Sequence, residues 1–166
     1  QPTTLAALQL AALTFQRPGE IRGATWAEFD LDAATWLIPS HRMKRNLQGK
    51  ATGPDHVVPL SRQAVAVLRG LQPLTGSGVL VFPGLRSRDR PISDMTMNAA
   101  LRRLGFDGDE MTAHGFRAMA RTMLSERLGV APEVIEAQLA HSVPDALGRA
   151  YNRTEFTDQR RKMMQA

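Results

Sequence analysis

The chain has 166 residues, the length of one ordinary domain, and its 43% hydrophobic and 22% charged residues place it among globular proteins. It has no cysteine, which excludes disulfides, thiolate metal sites and cysteine nucleophiles. Its 21 basic residues outnumber the 16 acidic ones, and the net charge of +5 favours an anionic partner such as nucleic acid.

The sequence carries no membrane or export signal. No apolar run approaches the roughly 20 residues that a membrane-spanning helix needs. Residues 1–15 lack the positive segment and the cleavage site of a signal peptide. Because the first residue is Gln rather than Met, we expect a fragment of a longer protein.

In the N-terminal half, the pattern predicts one helix followed by a small sheet. Residues 3–14 are apolar nearly all round, which is typical of a buried helix, and the helix ends before the Pro-Gly bend of Arg17-Pro18-Gly19-Glu20. Two β-like runs, ATWAEFDL and TWLIP, lie within residues 24–38. A basic stretch over residues 41–50 leads to a third run, residues 56–60, whose proline indicates an edge or a strand end.

The rest of the chain has the pattern of packed helices. They are predicted from Ser61 to about Leu71, after Ser93, after Thr112, from Pro132, and from Pro144-Asp145 to about Lys162, with a loop over residues 73–92. The residues expected to face the core are Met97, Ala100, Leu101 and Leu104 after Ser93, and Phe116, Met119, Ala120, Met123, Leu124 and Leu128 after Thr112. The predicted fold class is α+β, dominated by helices, with one small antiparallel sheet.

The His114-Gly115-Phe116-Arg117 motif is the first candidate for chemistry. A spacing of three puts His114 and Arg117 on one helical face near the helix start, where exposed N–H groups favour an anion. Arg121 extends that face by one turn. Taken alone, the motif is better explained as a solvated polar face opposite a core stripe of Met119 and Met123.

Further candidates also have ordinary structural explanations. Arg17 and Glu20 could form an active pair or a structural salt bridge. Tyr151, the only tyrosine, could be a core residue or a nucleophile toward phosphorus. His141 follows a predicted helix end, where a histidine is commonly a cap, and the basic stretch over residues 41–50 is most simply a solvated loop.

Taken in order, these residues resemble the tyrosine recombinases, the phage-integrase family. The local sequence is similar to that of integrases from prophages and genomic islands, in the segments TFQRPGEIRGATWAEFDLDAATWLIP, RMK, HVVPLS, TAHGFRAMARTMLSER, QLAHS and AYNRTEF. The resemblance covers essentially the whole chain. It implies the fold of the DNA breaking-rejoining enzymes, with a three-stranded antiparallel sheet packed among helices.

The resemblance also implies roles for individual residues. The catalytic set would be Arg17, Lys44, His114, Arg117, His141 and Tyr151, with Glu20 bracing the first arginine and Arg42, Arg45, Lys50 and Arg121 contacting DNA. Tyr151 would attack the scissile phosphate and form a 3′-phosphotyrosyl bond, and Lys44 would protonate the leaving oxygen, with Lys50 as the alternative acid. The family's reaction uses no metal, no ATP and no other cofactor.

Partners and context follow from the same resemblance. We expect double-stranded DNA attachment sites as substrate, a tetramer on DNA, and accessory DNA-bending proteins or an excisionase. Residues 1–166 would be the C-terminal catalytic domain, without the arm-binding and core-binding domains, acting in the bacterial cytoplasm at the nucleoid. The attachment sequence, the preference for integration or excision, and cleavage in cis or in trans are left open.

Three alternatives compete with a recombinase. A type IB topoisomerase shares a very similar constellation but needs only one protomer. A metal-dependent nuclease or transposase needs three carboxylates, and the acidic residues form no recognisable triad. An inactive DNA-binding prophage remnant would retain the fold, although every expected catalytic residue type is present.

Overall fold

A computed structural model of the chain describes residues 1–141 and 156–166. Its helices are α1 (Pro2–Thr14), α2 (Pro18–Arg22), α3 (Leu47–Thr52), α4 (Arg62–Thr75), α5 (Thr96–Arg103), α6 (Gly115–Glu126), α7 (Pro132–Gln138) and α8 (Thr157–Gln165). Its strands are β1 (Phe29–Asp30), β2 (Thr35–Ile38) and β3 (His56–Pro59), and single 3₁₀ turns span Trp26–Glu28 and Ser40–Arg42. The predicted class, mainly helical with one small antiparallel sheet, is confirmed.

The three strands form one antiparallel sheet in the order β1-β2-β3. Trp36 lies at its centre, pairs with Phe29 on one side and Val58 on the other, and is fully buried. The Phe29 ring stacks on it with a centroid distance of 5.0 Å. Pro59 is the last residue of an edge strand, as its missing N–H predicts.

The first β-like run is mostly not a strand, which corrects the sequence prediction. Only Phe29 and Asp30 pair with β2, and the three residues before them form a 3₁₀ turn. The Asp30 side chain accepts the backbone N–H groups of Asp32 and Ala33, which closes a tight turn directly after β1. The strand therefore ends after two residues.

Helix α1 lies at the centre of the larger of two hydrophobic clusters. It packs against α2, α4, α5 and α6, which agrees with its apolar surface on all sides. The larger cluster also contains Ile21, Trp36, Leu68 and Phe82. The smaller cluster joins α6, α7 and α8 through Ala120, Leu124, Val134, Ile135, Leu139, Met163 and Met164.

Two helix boundaries differ from the sequence prediction. Ser61 caps α4 as expected, since its hydroxyl accepts the N–H of Ala64, but the helix continues through Pro73 to Thr75. Helix α5 begins at Thr96 rather than after Ser93, because the Ser93 and Thr96 hydroxyls bond to each other at 2.9 Å instead of capping the helix. Met97 and Leu101 face the core as predicted, while Leu104 is 63% exposed.

Helix α6 faces the core with only part of the side that was predicted, since Ala120 and Leu124 are buried as expected. Arg117, Ala120 and Leu124 are buried, whereas Met119 and Met123 are more than 40% exposed. Leu128, predicted to face inward, is also exposed. The prediction was wrong for Met119 and Met123 because apolar residues lie on both sides of this helix, and packing against α1 and α7 selects the side that carries Arg117.

Helix α8 begins at a sharp backbone turn. Phe156 has a left-handed backbone conformation (φ 48°), so α8 begins after it, at Thr157. The expected start at Pro144-Asp145 lies outside the described residues. Among the helices that are described, none is long and apolar enough to cross a membrane.

Candidate active site

The residues singled out in the sequence converge on one open cavity of about 650 Å³. It is lined by Arg17, Lys44, His114, Arg117 and His141, together with Ala118, Arg121, Thr122 and Leu139. Tyr151 lies outside the described residues. Five of the six expected catalytic residues therefore line one cavity, although they come from distant parts of the sequence, from Arg17 at the start of α2 to His141 after α7.

Arg17 is fixed by Glu20 at the start of α2. The Glu20 carboxylate accepts the backbone N–H of Arg17 at 3.0 Å and its guanidinium Nη1 at 3.1 Å. Glu20 is only 2% exposed, while the Arg17 side chain keeps 20% of its surface open. The buried carboxylate therefore orients the arginine, and the expected bracing pair is present as a contact.

Arg117 is buried where α1, α6 and α7 meet. Its Nη1 donates to the carbonyl of Phe15 at 2.6 Å, and its Nη2 donates to the carbonyl of Leu139 at 2.8 Å. Burial, followed by the nearby charge of Arg17, lowers the pKa of Arg117 to about 10, so it stays protonated at neutral pH. A solvated face around the HxxR motif is thus ruled out for Arg117, which is 4% exposed, whereas His114 is exposed at the start of α6.

His141 follows α7 and is held by Glu136, a residue that the sequence analysis missed. Its backbone N–H caps the carbonyl of Glu136 at 3.0 Å, and its ring Nδ1 lies 2.5 Å from the Glu136 carboxylate. The other carboxylate oxygen binds Nε of Arg121 at 2.9 Å. The Nε2 atom of His141 lies 3.0 Å from Nη2 of Arg117.

The two candidate lysines lie in different places within the connection between β2 and β3. Lys44 is exposed, follows the fully buried Met43 and lines the cavity. Lys50 lies on α3, a short helix inside what was predicted to be a loop, and it is not among the cavity-lining residues. Its carbonyl accepts the Ser40 hydroxyl at 2.9 Å, which ties α3 to the end of β2.

Arg42, expected to contact DNA, forms an internal ion pair with Glu28. Its Nη2 lies 2.7 Å from the Glu28 carboxylate and also donates to the carbonyl of Glu20, and the side chain is 17% exposed. Glu28 also accepts the indole N–H of Trp36 at 2.9 Å. No sequence spacing connects these residues, so the pair could not be predicted, and it attaches the Lys44-bearing connection to the sheet and to α2.

Arg45 and Arg121, the other arginines expected to contact DNA, also bind groups within the protein. Arg45 donates to the carbonyl of Pro54 at 2.7 Å, across the β2–β3 connection. Arg121 keeps 65% of its side chain exposed while it pairs with Glu136. Both guanidinium groups therefore lie at the rim of the open surface around the site.

A buried polar network supports the cavity from behind. Gln138 donates to the carbonyl of Thr14, and its own carbonyl lies 3.1 Å from Nε2 of His56. Arg160 of α8 donates to the Gln138 side chain at 3.0 Å. Burial, followed by the Arg160 charge, lowers the pKa of His56 to about 3, so this ring is neutral.

The site is suited to binding an anion. Guanidinium groups from α2 and α6 reach one open cavity, and such groups bind phosphate oxygens in a bidentate manner. The nearby carboxylates of Glu20 and Glu136 are engaged by arginine and histidine. Within residues 1–141 and 156–166, no group of three or more potential ligands lies close enough together to hold a metal ion.

Comparison with protein families gives a match over nearly the whole chain. The family model described as "Phage integrase family" matches residues 2–158. A prophage integrase, IntA of Escherichia coli K12, is 44% identical over 153 residues, which cover 92% of this chain and 35% of that protein. The integrase of Enterobacteria phage P4 is 41% identical over 169 residues, covering 98% of this chain and 38% of that one. The chain therefore spans little more than a third of the length of these relatives.

Two solved structures share the fold. The crystal structure of XerA recombinase superposes with a TM-score of 0.67 over 86% of this chain and 49% of that one, at 19% sequence identity. The integrase from mycobacterium phage Brujita gives a TM-score of 0.68 over 99% of this chain and 51% of its own, also at 19% identity. At this level of identity, the likeness concerns the fold alone.

Proposed function

Because the chain belongs to the phage integrase family, we propose that residues 1–166 are the catalytic domain of a site-specific DNA recombinase that cleaves through Tyr151. The observation that carries this proposal is the convergence of Arg17, Lys44, Arg117 and His141 on one cavity. These side chains supply two planar cations, one mobile ammonium and one imidazole. Phosphoryl transfer to a side-chain nucleophile needs such groups around the scissile phosphate.

The two arginines are proposed to bind the non-bridging oxygens of that phosphate. Arg117 already donates to two carbonyls and to Nε2 of His141, and its five N–H donors leave two for an anion. Arg17 is held by Glu20 through Nη1, and its partly open side chain lines the same cavity. Because protein contacts hold both guanidinium groups in place before DNA binds, the site needs little reorganisation as charge develops in the transition state.

Lys44 is proposed to protonate the leaving oxygen. It is exposed on a connection whose base is anchored by Met43 and by the Arg42–Glu28 pair, so its long side chain can move while its backbone is held. A mobile ammonium is suited to delivering a proton to a 5′-oxygen. Lys50, on α3 and away from the cavity lining, is the less suitable acid.

Tyr151 is proposed to be the nucleophile. Its phenolic oxygen would bond to phosphorus while the bond from phosphorus to the 5′-oxygen breaks, and the phenol's proton would pass to His114 or to solvent. The product is a 3′-phosphotyrosyl link and a free 5′-hydroxyl. Because the link conserves the phosphodiester energy, a 5′-hydroxyl from another strand can reverse the attack without ATP or a metal.

The remaining expectations are proposals of the same kind. Double-stranded attachment-site DNA is the proposed substrate, in the bacterial cytoplasm at the nucleoid. Strand exchange between two sites requires a tetramer, with DNA-bending proteins or an excisionase setting the direction. In the relatives, which are more than twice as long as this chain, further domains are the proposed site of arm and core binding.

The experiment that tests the proposal is covalent capture. The chain is incubated in EDTA with a nicked half-site duplex whose cleaved end fragment diffuses away, and the products are separated in SDS. We expect a protein–DNA adduct linked to the 3′-phosphate. Cleavage that requires a divalent metal and leaves no adduct would instead indicate a metal-dependent nuclease.

A further inference from the structure

We propose that Glu136 is a positioning residue, which holds His141 in the tautomer with its proton on Nδ1 and its Nε2 directed at Arg117. The Glu136 side chain is 17% exposed and lies 2.5 Å from Nδ1 of His141. It comes from the last turn of α7, whereas His141 follows the end of that helix. The consequence of this contact for DNA cleavage rests on the proposed function, but the tautomer itself does not.

The hydrogen bonds around the ring permit one neutral arrangement. A guanidinium has only donors, so the contact between Nη2 of Arg117 and Nε2 of His141, at 3.0 Å, requires a lone pair on Nε2. The proton of the neutral ring must then be on Nδ1, where the Glu136 carboxylate accepts it. With the opposite tautomer, two N–H groups would face each other and the carboxylate would face a lone pair.

The second oxygen of Glu136 fixes the carboxylate itself. Nε of Arg121, one turn beyond Arg117 on α6, binds this oxygen at 2.9 Å. The chain of contacts therefore runs from Arg121 through Glu136 and His141 to Arg117, and it joins α6 to the end of α7. Both oxygens of the carboxylate have a partner, so it cannot turn away from the imidazole without losing its ion pair with Arg121.

This geometry defines what His141 can do at a bound anion. A phosphate oxygen only accepts hydrogen bonds, so His141 can donate to it from Nε2 only as the imidazolium, with both ring nitrogens protonated. Because Glu136 already accepts the Nδ1 proton, its charge stabilises the ring once both nitrogens are protonated. Glu136 thus acts through His141 and is not itself in contact with the reacting atoms.

The direct test is nitrogen NMR of the 166-residue chain labelled with ¹⁵N-histidine. Long-range proton–nitrogen spectra, recorded where the imidazoles are neutral, distinguish a protonated nitrogen from one with a lone pair, and His141→Gln assigns the His141 signals. We expect the Nδ1–H form in the wild type and a mixture that includes Nε2–H in Glu136→Ala. Glu136→Gln should keep the Nδ1–H form, because its amide oxygen still accepts that proton.

Glu133→Ala is the matched control, since Glu133 is exposed one turn earlier on the same helix. It should leave the His141 signals unchanged. The signals of the buried His56, which contacts Gln138 on α7, show in each variant that the surrounding fold is intact. An Nε2–H ring in the wild type, or an unchanged Nδ1–H ring in Glu136→Ala, would overturn the proposal.

The effect on cleavage is measured separately with the half-site DNA. Glu136→Ala should slow adduct formation about 10-fold or more, the scale on which loss of an orienting partner acts, while Glu133→Ala keeps the wild-type rate. Glu136→Gln should recover part of the loss. Equal rates for Glu136→Ala and wild type would refute the positioning role. A wild type that forms no adduct would refute the proposed function and leave the tautomer result standing.

Discussion

At the scale of single residues, the site depends on arginines that bind protein and remain available to an anion. Arg117 joins the ends of two helices through the carbonyls of Phe15 and Leu139, and it does so from a buried position. Arg17 is more open and is held by one carboxylate. The two arginines therefore differ in their importance for stability, although both are proposed to bind the same phosphate.

Replacing each arginine by lysine separates its contribution to phosphate binding from its contribution to stability. Arg17→Lys and Arg117→Lys keep the charge but lose the planar fork, so each should slow covalent cleavage by roughly 10²–10³. Arg117→Lys should also lower Tm by several degrees more than Arg17→Lys, because an unpaired buried carbonyl costs about 1–3 kcal/mol. Calorimetry and adduct kinetics measure the two effects.

Arg127→Lys serves as the control, since Arg127 is exposed at the end of α6. It should match the wild type in both measurements. Wild-type cleavage in Arg17→Lys or Arg117→Lys would show that the arginine concerned is structural only.

The two lysines are distinguished by the chemistry of the leaving group. Lys44→Ala should cleave ordinary DNA slowly and recover on DNA whose bridging 5′-oxygen is replaced by sulfur, because a thiolate leaves without a proton. Lys50→Ala should behave like the wild type on both substrates. The opposite pattern would assign the acid to Lys50, and equal defects of Lys44→Ala on both substrates would make Lys44 a phosphate ligand only.

At the scale of secondary structure, two helix ends place the site residues. Phe15 and Ala140 both have a left-handed backbone, at φ 61° and φ 50°, and each ends a helix shortly before a cavity residue. This conformation costs a non-glycine residue about 1 kcal/mol or more. The sharp turn after α1 leads to Arg17, and the turn after α7 leads directly to His141.

Behind these helix ends, His56 makes the docking of β3 and α7 sensitive to acid. The pKa of His56 is about 3 in the folded chain, against 6.5 as the reference for the unfolded chain. Between these values the unfolded state binds a proton that the native state does not, so stability is lost as pH falls below 6.5, by up to about 1.4 kcal/mol per pH unit. His56→Gln, which can still donate to the Gln138 carbonyl, should therefore lose less Tm than the wild type between about pH 6.5 and pH 5.

Thermal unfolding across that pH range measures the difference. His41→Gln removes an exposed histidine and should follow the wild-type curve. Parallel curves for His56→Gln and the wild type would contradict a neutral, buried His56.

The elements that could be predicted from sequence are those whose signal is local. Each of these signals lies within a short stretch of sequence. They are the apolar run of α1, the Ser61 cap of α4, and the three-residue spacing of His114 and Arg117. The inward side of α6 was predicted only in part. Ala120 and Leu124 are buried as expected, whereas the burial of Arg117 depends on the carbonyls of Phe15 and Leu139, which are distant in sequence.

Long-range ion pairs were missed for the same reason. Arg42 was expected at DNA but pairs with Glu28, and Glu136 was not singled out although it contacts both Arg121 and His141. A carboxylate and its partner on different elements leave no periodic pattern in the sequence. Sequence similarity to a family points to the cationic residues of the site and to Glu20, whereas Glu28 and Glu136 become evident as partners only from the packing.

At the scale of the whole molecule, the cavity lies where the two hydrophobic clusters meet. Arg17 and Lys44 come from the side of the larger cluster, and His141 follows the α7 helix of the smaller one. Arg117 bonds to the carbonyl of Phe15, directly after the α1 helix of the larger cluster, and to the carbonyl of Leu139 in the smaller one. Movement of one cluster against the other would therefore separate the proposed phosphate ligands.

The net charge of +5 and the open surface around the cavity predict how the isolated chain binds DNA. Binding should be weak and nearly independent of sequence, because contacts to the backbone carry no sequence information. Affinity should fall linearly with salt on a log–log plot, with a slope of about 0.9 per phosphate neutralised. Titration of attachment-site and scrambled duplexes at several salt concentrations measures this, and tight, site-selective, salt-insensitive binding would imply base readout within the chain.

The most direct test of the central claim is covalent capture of half-site DNA by the wild type and by Tyr151→Phe, in EDTA. Tyr151 is the only tyrosine, so the variant removes the single phenolic hydroxyl of the chain. We predict an SDS-resistant adduct for the wild type and none for Tyr151→Phe, with nearly equal DNA affinities, because the hydroxyl alone is lost. An SDS-resistant adduct formed by Tyr151→Phe would contradict the assignment of the nucleophile.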